Sequence, residues 1–259
     1  MVRPRIVRFA KFFVRHRAFR RASDFIVRTI VSTKVDILHS NTRIQLIHPN
    51  PQTRSRNNSF STKEPDTLAW IERFPKDSVL WDVGANVGLY SVYAALCGAS
   101  VVSIEPSVFN LEFLVRNISI NRVSDRVQVL PVAVGGVVPG FSKLSLQSTA
   151  WGDSQNAFAT LLGQSGEQQD FEIDYQTLGF PLDSLTTVLH IAPPSFLKID
   201  VDGIEPDILE SGSRVLSAVQ SVLVEIPLYA SAQMRIHKIL TSAGLRLEST
   251  LRRNQIWRR

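Results

Sequence analysis

The chain has 259 residues, 44% of them apolar, enough to bury a substantial core and natural for a single α/β domain of about 200 residues. Its one cysteine, Cys97, excludes an internal disulfide and fits a reducing compartment. The net charge of +6 is uneven: residues 1–28 carry nine Arg or Lys against one acid, Asp24, a local +8 that leaves −2 on the remainder. The core is therefore near neutral, and no aromatic stacking pattern or known module accompanies the arginines, so no nucleic-acid partner is expected.

Arg3 to Arg28 predicts a basic amphipathic helix, with Ile6, Phe9, Ala10 and Phe13 on one face. It is suited to peripheral contact with an anionic membrane, and equally to packing as an arm on the domain or a partner. Basic residues interrupt every apolar run of the first 30, so no secretory signal is read; the expected location is cytoplasmic, with contact at the inner membrane face open to residues 1–28. Residues 35–48 suggest a small strand pair, Pro49 to Thr62 a polar loop, and Glu64-Pro65-Asp66-Thr67 opens a helix through Leu68, Trp70 and Ile71. The expected division is an extension over residues 1–62 and a catalytic domain over 63–259.

Val79 to Val83 reads as a buried strand that ends on a turn, Gly84-Ala85-Asn86-Val87-Gly88, and enters a helix. Gly84 and Asn86 tolerate the conformations such a turn needs, and Gly88 permits close approach to a ligand or the strand. Cys97, inside this helix, reads as a buried, inert thiol. Dinucleotide binders use G-x-G-x-x-G, with a pyrophosphate on the helix N-terminus. Here the spacing is G-x-x-x-G, and Asp82 precedes it. An acid there repels a pyrophosphate but suits a ligand with ammonium and sulfonium charges, as in S-adenosylmethionine. An ordinary βα turn is the plainer reading.

Ser100 to Ile104 is a second strand, and Glu105-Pro106 stands at its end, where an acid can accept hydrogen bonds from both ribose hydroxyls. Pro106-Ser107 would also permit Glu105 to cap the next helix. Phe109, Phe113 and Leu114 mark that helix, with Asn117 and Asn121 at its end. Val127 to Leu130 is a third strand, and small Ala133 after it can let an adenine ring lie against the backbone. Phe141 to Phe180 reads as an irregular insertion or hairpin over the pocket, in which Trp151 covers substrate or simply packs. Phe196 to Gly203 forms a fourth strand and its exit, Glu205 to Leu216 a helix, Ser221 to Ile226 a fifth strand, Ala232 to Ala243 a helix, and the remainder a closing hairpin. Strands separated by helices imply a parallel sheet with right-handed crossovers.

In combination these pieces resemble the FkbM-type family of S-adenosylmethionine-dependent methyltransferases. The resemblance is carried by Glu64-Pro65-Asp66-Thr67, Trp81 to Ser91, Glu105-Pro106, Asn117 with Asn121, Ala133-Val134-Gly135, Leu182-Asp183-Ser184-Leu185 and Leu197 to Gly203, in the family's order from about residue 63 to 243. It implies a Rossmann-like class I methyltransferase fold, a seven-stranded, mostly parallel sheet with helices on both faces and an antiparallel last strand. It also implies methyl transfer, usually to an oxygen of a sugar or other small natural product. Asp202 stands where many relatives have Glu, and residues 1–60 lie outside the match.

Under that reading Asp82, Gly84, Ala85, Asn86, Gly88, Glu105, Pro106 and Ala133 would hold the donor. Asp200, Lys198 and Asp202 are the catalytic candidates: a carboxylate to take the acceptor's proton, and an ammonium two residues away on the same strand face. Against this, Asp202-Gly203 can cap a helix, and Lys198–Asp200 can be a structural ion pair. Glu225 has a similar claim. Two carboxylates lack a full ligand set, so no metal is expected. Two other functions remain open: a nicotinamide-dependent oxidoreductase, and a non-catalytic cofactor-binding module tethered through its N-terminal helix.

Overall fold

The computed structural model describes residues 17–154, 156–160 and 163–259. The expected face of Ile6, Phe9, Ala10 and Phe13 lies outside these. Helix α1 (Arg17–Ser32) runs four residues beyond the expected end. Its Phe25, Ile26 and Ile30 are exposed rather than packed on the domain, while Val31 touches the core. Strands β1 (Lys34–His39) and β2 (Thr42–Ile47) form the expected antiparallel pair.

The segment expected as a polar loop is helical: α2 (Pro51–Asn58) and α3 (Phe60–Lys63). Asn50 starts α2 with a reciprocal capping box, its Oδ1 accepting from the Thr53 N–H at 2.8 Å while Thr53 Oγ1 accepts from the Asn50 N–H. Pro51 adds a first-turn proline. The helix is held by one narrow buried edge, Thr53 and Asn57, too polar to show an apolar period. Helix α4 (Pro65–Glu72) follows as expected.

The main sheet takes β3 (Val79–Val83), β4 (Ser100–Ile104), β5 (Val127–Leu130), β10 (Phe196–Ile199), β11 (Ser221–Glu225), β12 (Arg246–Leu251) and β13 (Asn254–Arg258) in the order β12-β13-β11-β10-β3-β4-β5. All neighbours are parallel except around β13, which runs antiparallel between β11 and β12. Helices α5 (Leu89–Leu96) and α6 (Val108–Ile120) bury Val92, Phe113 and Leu114 on one face, with Leu80 and Phe196. Trp81, Val83, Leu197 and Val222 face the other way, against α7 (Ser184–Thr187), α8 (Glu205–Glu210), α9 (Ser213–Ala218) and α10 (Ala230–Ser242). Between α8 and α9, where one helix is expected, the chain breaks at Ser211-Gly212; a Cβ on Gly212 would come 2.4 Å from Leu182 Cδ2. Cys97 is half-buried at the C-terminal cap of α5, not inside it.

The insertion is more regular than expected. Strands β6 (Ala133–Val134), β7 (Gly140–Leu146), β8 (Ala157–Phe158) and β9 (Ile173–Phe180) make a second sheet in the order β6-β9-β7-β8. Trp151 packs on Phe113 with ring centroids 4.8 Å apart and does not line the cleft. The polar ends of α6 do more than stop it. Asn117 and Asn121, one turn apart, accept from the N–H groups of Ile47 and Gln45 and so stand in for a neighbouring strand along the edge of β2.

Candidate active site

A cleft opens along the carboxyl ends of β4, β3, β10 and β11, the place where open parallel sheets bind ligands. Period-two alternation settles which side chains meet there. In register, Phe196 pairs with Leu80 and Lys198 with Asp82, so Asp82, Lys198 and Asp200 share one face, and Glu225 joins them from β11.

At the β3–β4 end, Gly84 (φ 81°), Asn86 (φ 51°) and Gly88 (φ 82°) all take the left-handed conformation. A Cβ on Gly84 would fall 2.0 Å from the Asp200 carbonyl oxygen, so only glycine lets the exits of β3 and β10 touch. The close neighbour of Gly88 is Leu114 of α6, 2.3 Å from a built Cβ. The Asn86 amide reaches the Asp153 carbonyl at 2.7 Å and ties the insertion to the turn. Glu105 is buried, and its two oxygens accept from the Asn86 N–H at 2.8 Å and the Ser107 N–H at 2.9 Å. Burial pushes its carboxyl up to about 7, against the pull of those two N–H groups. Thus Glu105 both lines the cleft and braces the start of α6. Beside it Val132, Ala133, Leu144 and Phe158 form an apolar slot.

At the β10–β11 end the carboxylates are held by side chains. Lys198 is buried, its Nζ 3.1 Å from Asp200 Oδ2 and 3.3 Å from Asp82 Oδ1, with the Tyr90 ring centroid 5.3 Å away. Burial alone would discharge this lysine, but Asp200, Asp82 and Glu64 outweigh it and keep the ammonium charged. Asp82 also accepts from Ser91 Oγ at 2.6 Å and lies beneath the cleft, outside its wall, as do Lys198, Ala85 and Gly88. Asp200 and Asp202 do line it, with Gly84, Asn86, Pro106 and Ala133. Burial opposes ionisation of Asp200, yet the Lys198 charge prevails and holds it below the usual carboxylate range. Glu225 goes the other way: burial first, then the Asp200 charge, push it up to about 8.

Three residues of this end have no counterpart in the sequence reading. Gln164 donates to Asp202 Oδ1 at 2.5 Å and to Glu225 Oε2 at 2.6 Å, and accepts from Arg253. Arg253 pairs with Glu225 at 2.5 Å. Glu205 folds back to accept from Val201 and Gly203 N–H groups, fixing the loop that carries Asp202. The helix after that loop has no side-chain cap, from Asp202 or any other residue, and Asp202 has φ 68°. A carboxylate one residue into a helix start was the available signal for Glu205; Gln164 and Arg253 sit in an insertion and a hairpin turn that carry none.

Sheet order, the glycine turn and paired acids at strand ends define a Rossmann-like class I methyltransferase architecture. The Methyltransferase FkbM domain matches residues 82–247, and the chain belongs to the FkbM methyltransferase family. It is similar to the hexuronic acid methyltransferase AglP of Haloferax volcanii, 29% identical over 183 residues, 70% of this chain and 68% of that protein. Among solved structures, a putative rRNA methylase from Clostridium thermocellum overlaps 75% of this chain and 93% of its own (TM-score 0.47, 8% identity). A putative transferase from Pyrococcus horikoshii overlaps 87% and 71% (TM-score 0.46, 12% identity). Neither overlap bears on substrate or on individual residues.

Proposed function

We propose that the protein is an S-adenosylmethionine-dependent methyltransferase that methylates a hydroxyl of a sugar, with an acidic sugar favoured by the hexuronic acid named for its relative. One observation carries the reading: Glu105 is fixed by two backbone N–H groups at the end of β4, beside an apolar slot and across β3 from a carboxylate pair. The residues suit the donor's chemistry. Ionised Glu105 can accept from both ribose hydroxyls, and Val132, Ala133, Leu144 and Phe158 offer an apolar bed for a flat base.

When bound, the donor supplies a methyl group already activated on sulfur. The chain's own contribution is then alignment, worth up to about 7–11 kcal/mol, together with removal of the acceptor's proton. Lys198 keeps Asp200 ionised, and Glu225, hydrogen-bonded to Asp200, has a carboxyl near neutral range. In the form with both carboxyls ionised, which fills as pH rises through about 8, Asp200 and Glu225 act as a pair that takes the hydroxyl proton and holds it on Glu225, while Asp202, clamped by Gln164, orients the sugar.

The test is calorimetric titration with S-adenosylhomocysteine. Micromolar binding is expected for the protein, and Glu105→Ala, which also strands two backbone N–H groups and should lower the melting temperature, should weaken it at least a hundredfold at a temperature where the variant is folded. Tight binding that survives this substitution, or binding of NAD(H) in place of the sulfur ligand, would overturn the reading.

A further inference from the structure

The cleft does not close at Glu225. It continues into a second depression bounded by the end of α3, the first turn of α4 and the two-residue turn between β12 and β13, and Lys63, Glu225 and Arg253 border both. The turn lies at the carboxyl edge because β12 is parallel to β11, and the Ile226 N–H donates to the Arg253 carbonyl at 2.7 Å. Adjacent strands are about 4.8 Å apart, so this depression and Glu105 flank the ends of β3 and β10 from opposite sides. A donor seated at Glu105 leaves the far side for the acceptor.

Three cations from the two ends of the chain meet there: Lys63, Arg252 and Arg253. Arg253 is occupied by Glu225 and Gln164. Arg252 donates one Nη1 bond, 3.1 Å, to the Lys63 carbonyl, and among the described residues it faces no acid within ion-pair distance. The remainder of its guanidinium fork is available, and the residue is exposed. Lys63 Nζ lies 3.4 Å from Glu64 Oε1 and its side chain is half exposed. Of the acids present, Glu64 is turned inward, where it accepts from Thr67 Oγ1 at 3.3 Å; Glu225 is held by Arg253; and Asp66 stands in the first turn of α4. Arg252 also has φ 55° at a turn position usually given to glycine or asparagine. A bulky cation is thus kept where the backbone disfavours one.

We propose that Lys63 and Arg252, backed by Arg253, form a subsite for an anionic group of the sugar acceptor, a carboxylate or a phosphate, and that this contact turns a hydroxyl toward Asp200. It rests on the methyl-transfer reading above and adds where and how the acceptor is read. A guanidinium fork recognises either anion through two parallel hydrogen bonds, and a nearby ammonium adds point charge.

The experiment is a ligand-observed NMR titration of the full chain, saturated with S-adenosylhomocysteine, using D-glucose, D-glucuronate and D-glucose 6-phosphate, which differ at one carbon. At least one anionic sugar should bind tenfold or more tightly than glucose, and which of the two does so identifies the anion. Arg252→Ala and Lys63→Ala should each reduce that preference about tenfold, and Arg252→Glu should abolish it, with glucose and S-adenosylhomocysteine affinities unchanged. Equal affinities across the panel, no binding of any sugar, or an anionic preference that survives Arg252→Glu would overturn the proposal. Failure of S-adenosylhomocysteine to bind would instead sink the methyl-transfer reading, and the same panel on the unliganded protein would still report on the subsite.

Discussion

The two ends of the cleft are built by different means. At the β3–β4 end, Glu105 is held by backbone N–H groups from the turn after β3 and from the start of α6, and the turn's geometry is set by residues with positive φ. At the β10–β11 end, Asp200, Asp202 and Glu225 are held by Lys198, Gln164 and Arg253, side chains from three separate segments. A backbone-held carboxylate changes little when neighbouring side chains vary. A side-chain-held one can be re-aimed by single substitutions, which suits the half of a methyltransferase that must fit its particular acceptor.

The sharpest way to break this contrast is to remove the cation between the two ends. Lys198→Met should cost about 3–5 kcal/mol in denaturant unfolding at pH 7, because it strands Asp82, 1% exposed, without its partner. Adding Asp82→Asn should return most of that loss. A single variant that loses under about 1 kcal/mol would mean the ion pair is incidental to the fold.

The same contrast governs what could be read before the fold was known. The core strands themselves, the glycine turn, the acid at the end of β4 and the Lys198–Asp200 face were all legible, since each depends on local periodicity or on a few contiguous residues. The helix at Pro51–Asn58 was not, because its buried edge is polar and its start signal, Asn50 with Thr53, lacks the Glu or Gln that usually completes a capping box. Nor was the Gln164–Arg253 bridge, whose members stand 89 residues apart in irregular segments and meet only once the sheet has formed. Asp82 was legible as an acid at a strand end, but not as the inner partner of Lys198, since a strand-end acid looks the same whether it faces the cleft or lies beneath it.

A second, smaller effect separates the two ends by pH. Glu105 has its carboxyl raised by burial to about 7, so it stabilises the unliganded fold below the ordinary carboxyl range, and that contribution is lost as pH rises through about 7. With the ribose seated on Glu105 as proposed, its hydroxyls would prefer the ionised form, and donor binding below pH 7 would release a proton. S-adenosylhomocysteine should bind about fivefold to tenfold tighter at pH 8 than at pH 6 and raise the melting temperature more at pH 8. In Glu105→Gln the affinity should be lower and flat over that range. A wild-type affinity that is equally flat would remove Glu105 from the donor site.

The smallest expected effect tests whether the ends are separable. Gln164→Ala removes the donor that bridges Asp202 and Glu225 and frees Arg253 of its amide contact, while leaving the Arg253–Glu225 ion pair in place. Since Gln164 is only partly buried, water can take over these bonds, and unfolding should fall by no more than about 1 kcal/mol. Donor affinity should stay within twofold, because neither Glu105 nor the turn after β3 touches Gln164. The loss should appear in kcat/KM for the sugar acceptor, about threefold, as Asp202 and Glu225 lose their common brace. If S-adenosylhomocysteine affinity fell in step with acceptor turnover, the two ends would be one cooperative unit, and the division between a backbone-held donor side and a side-chain-held acceptor side would be wrong.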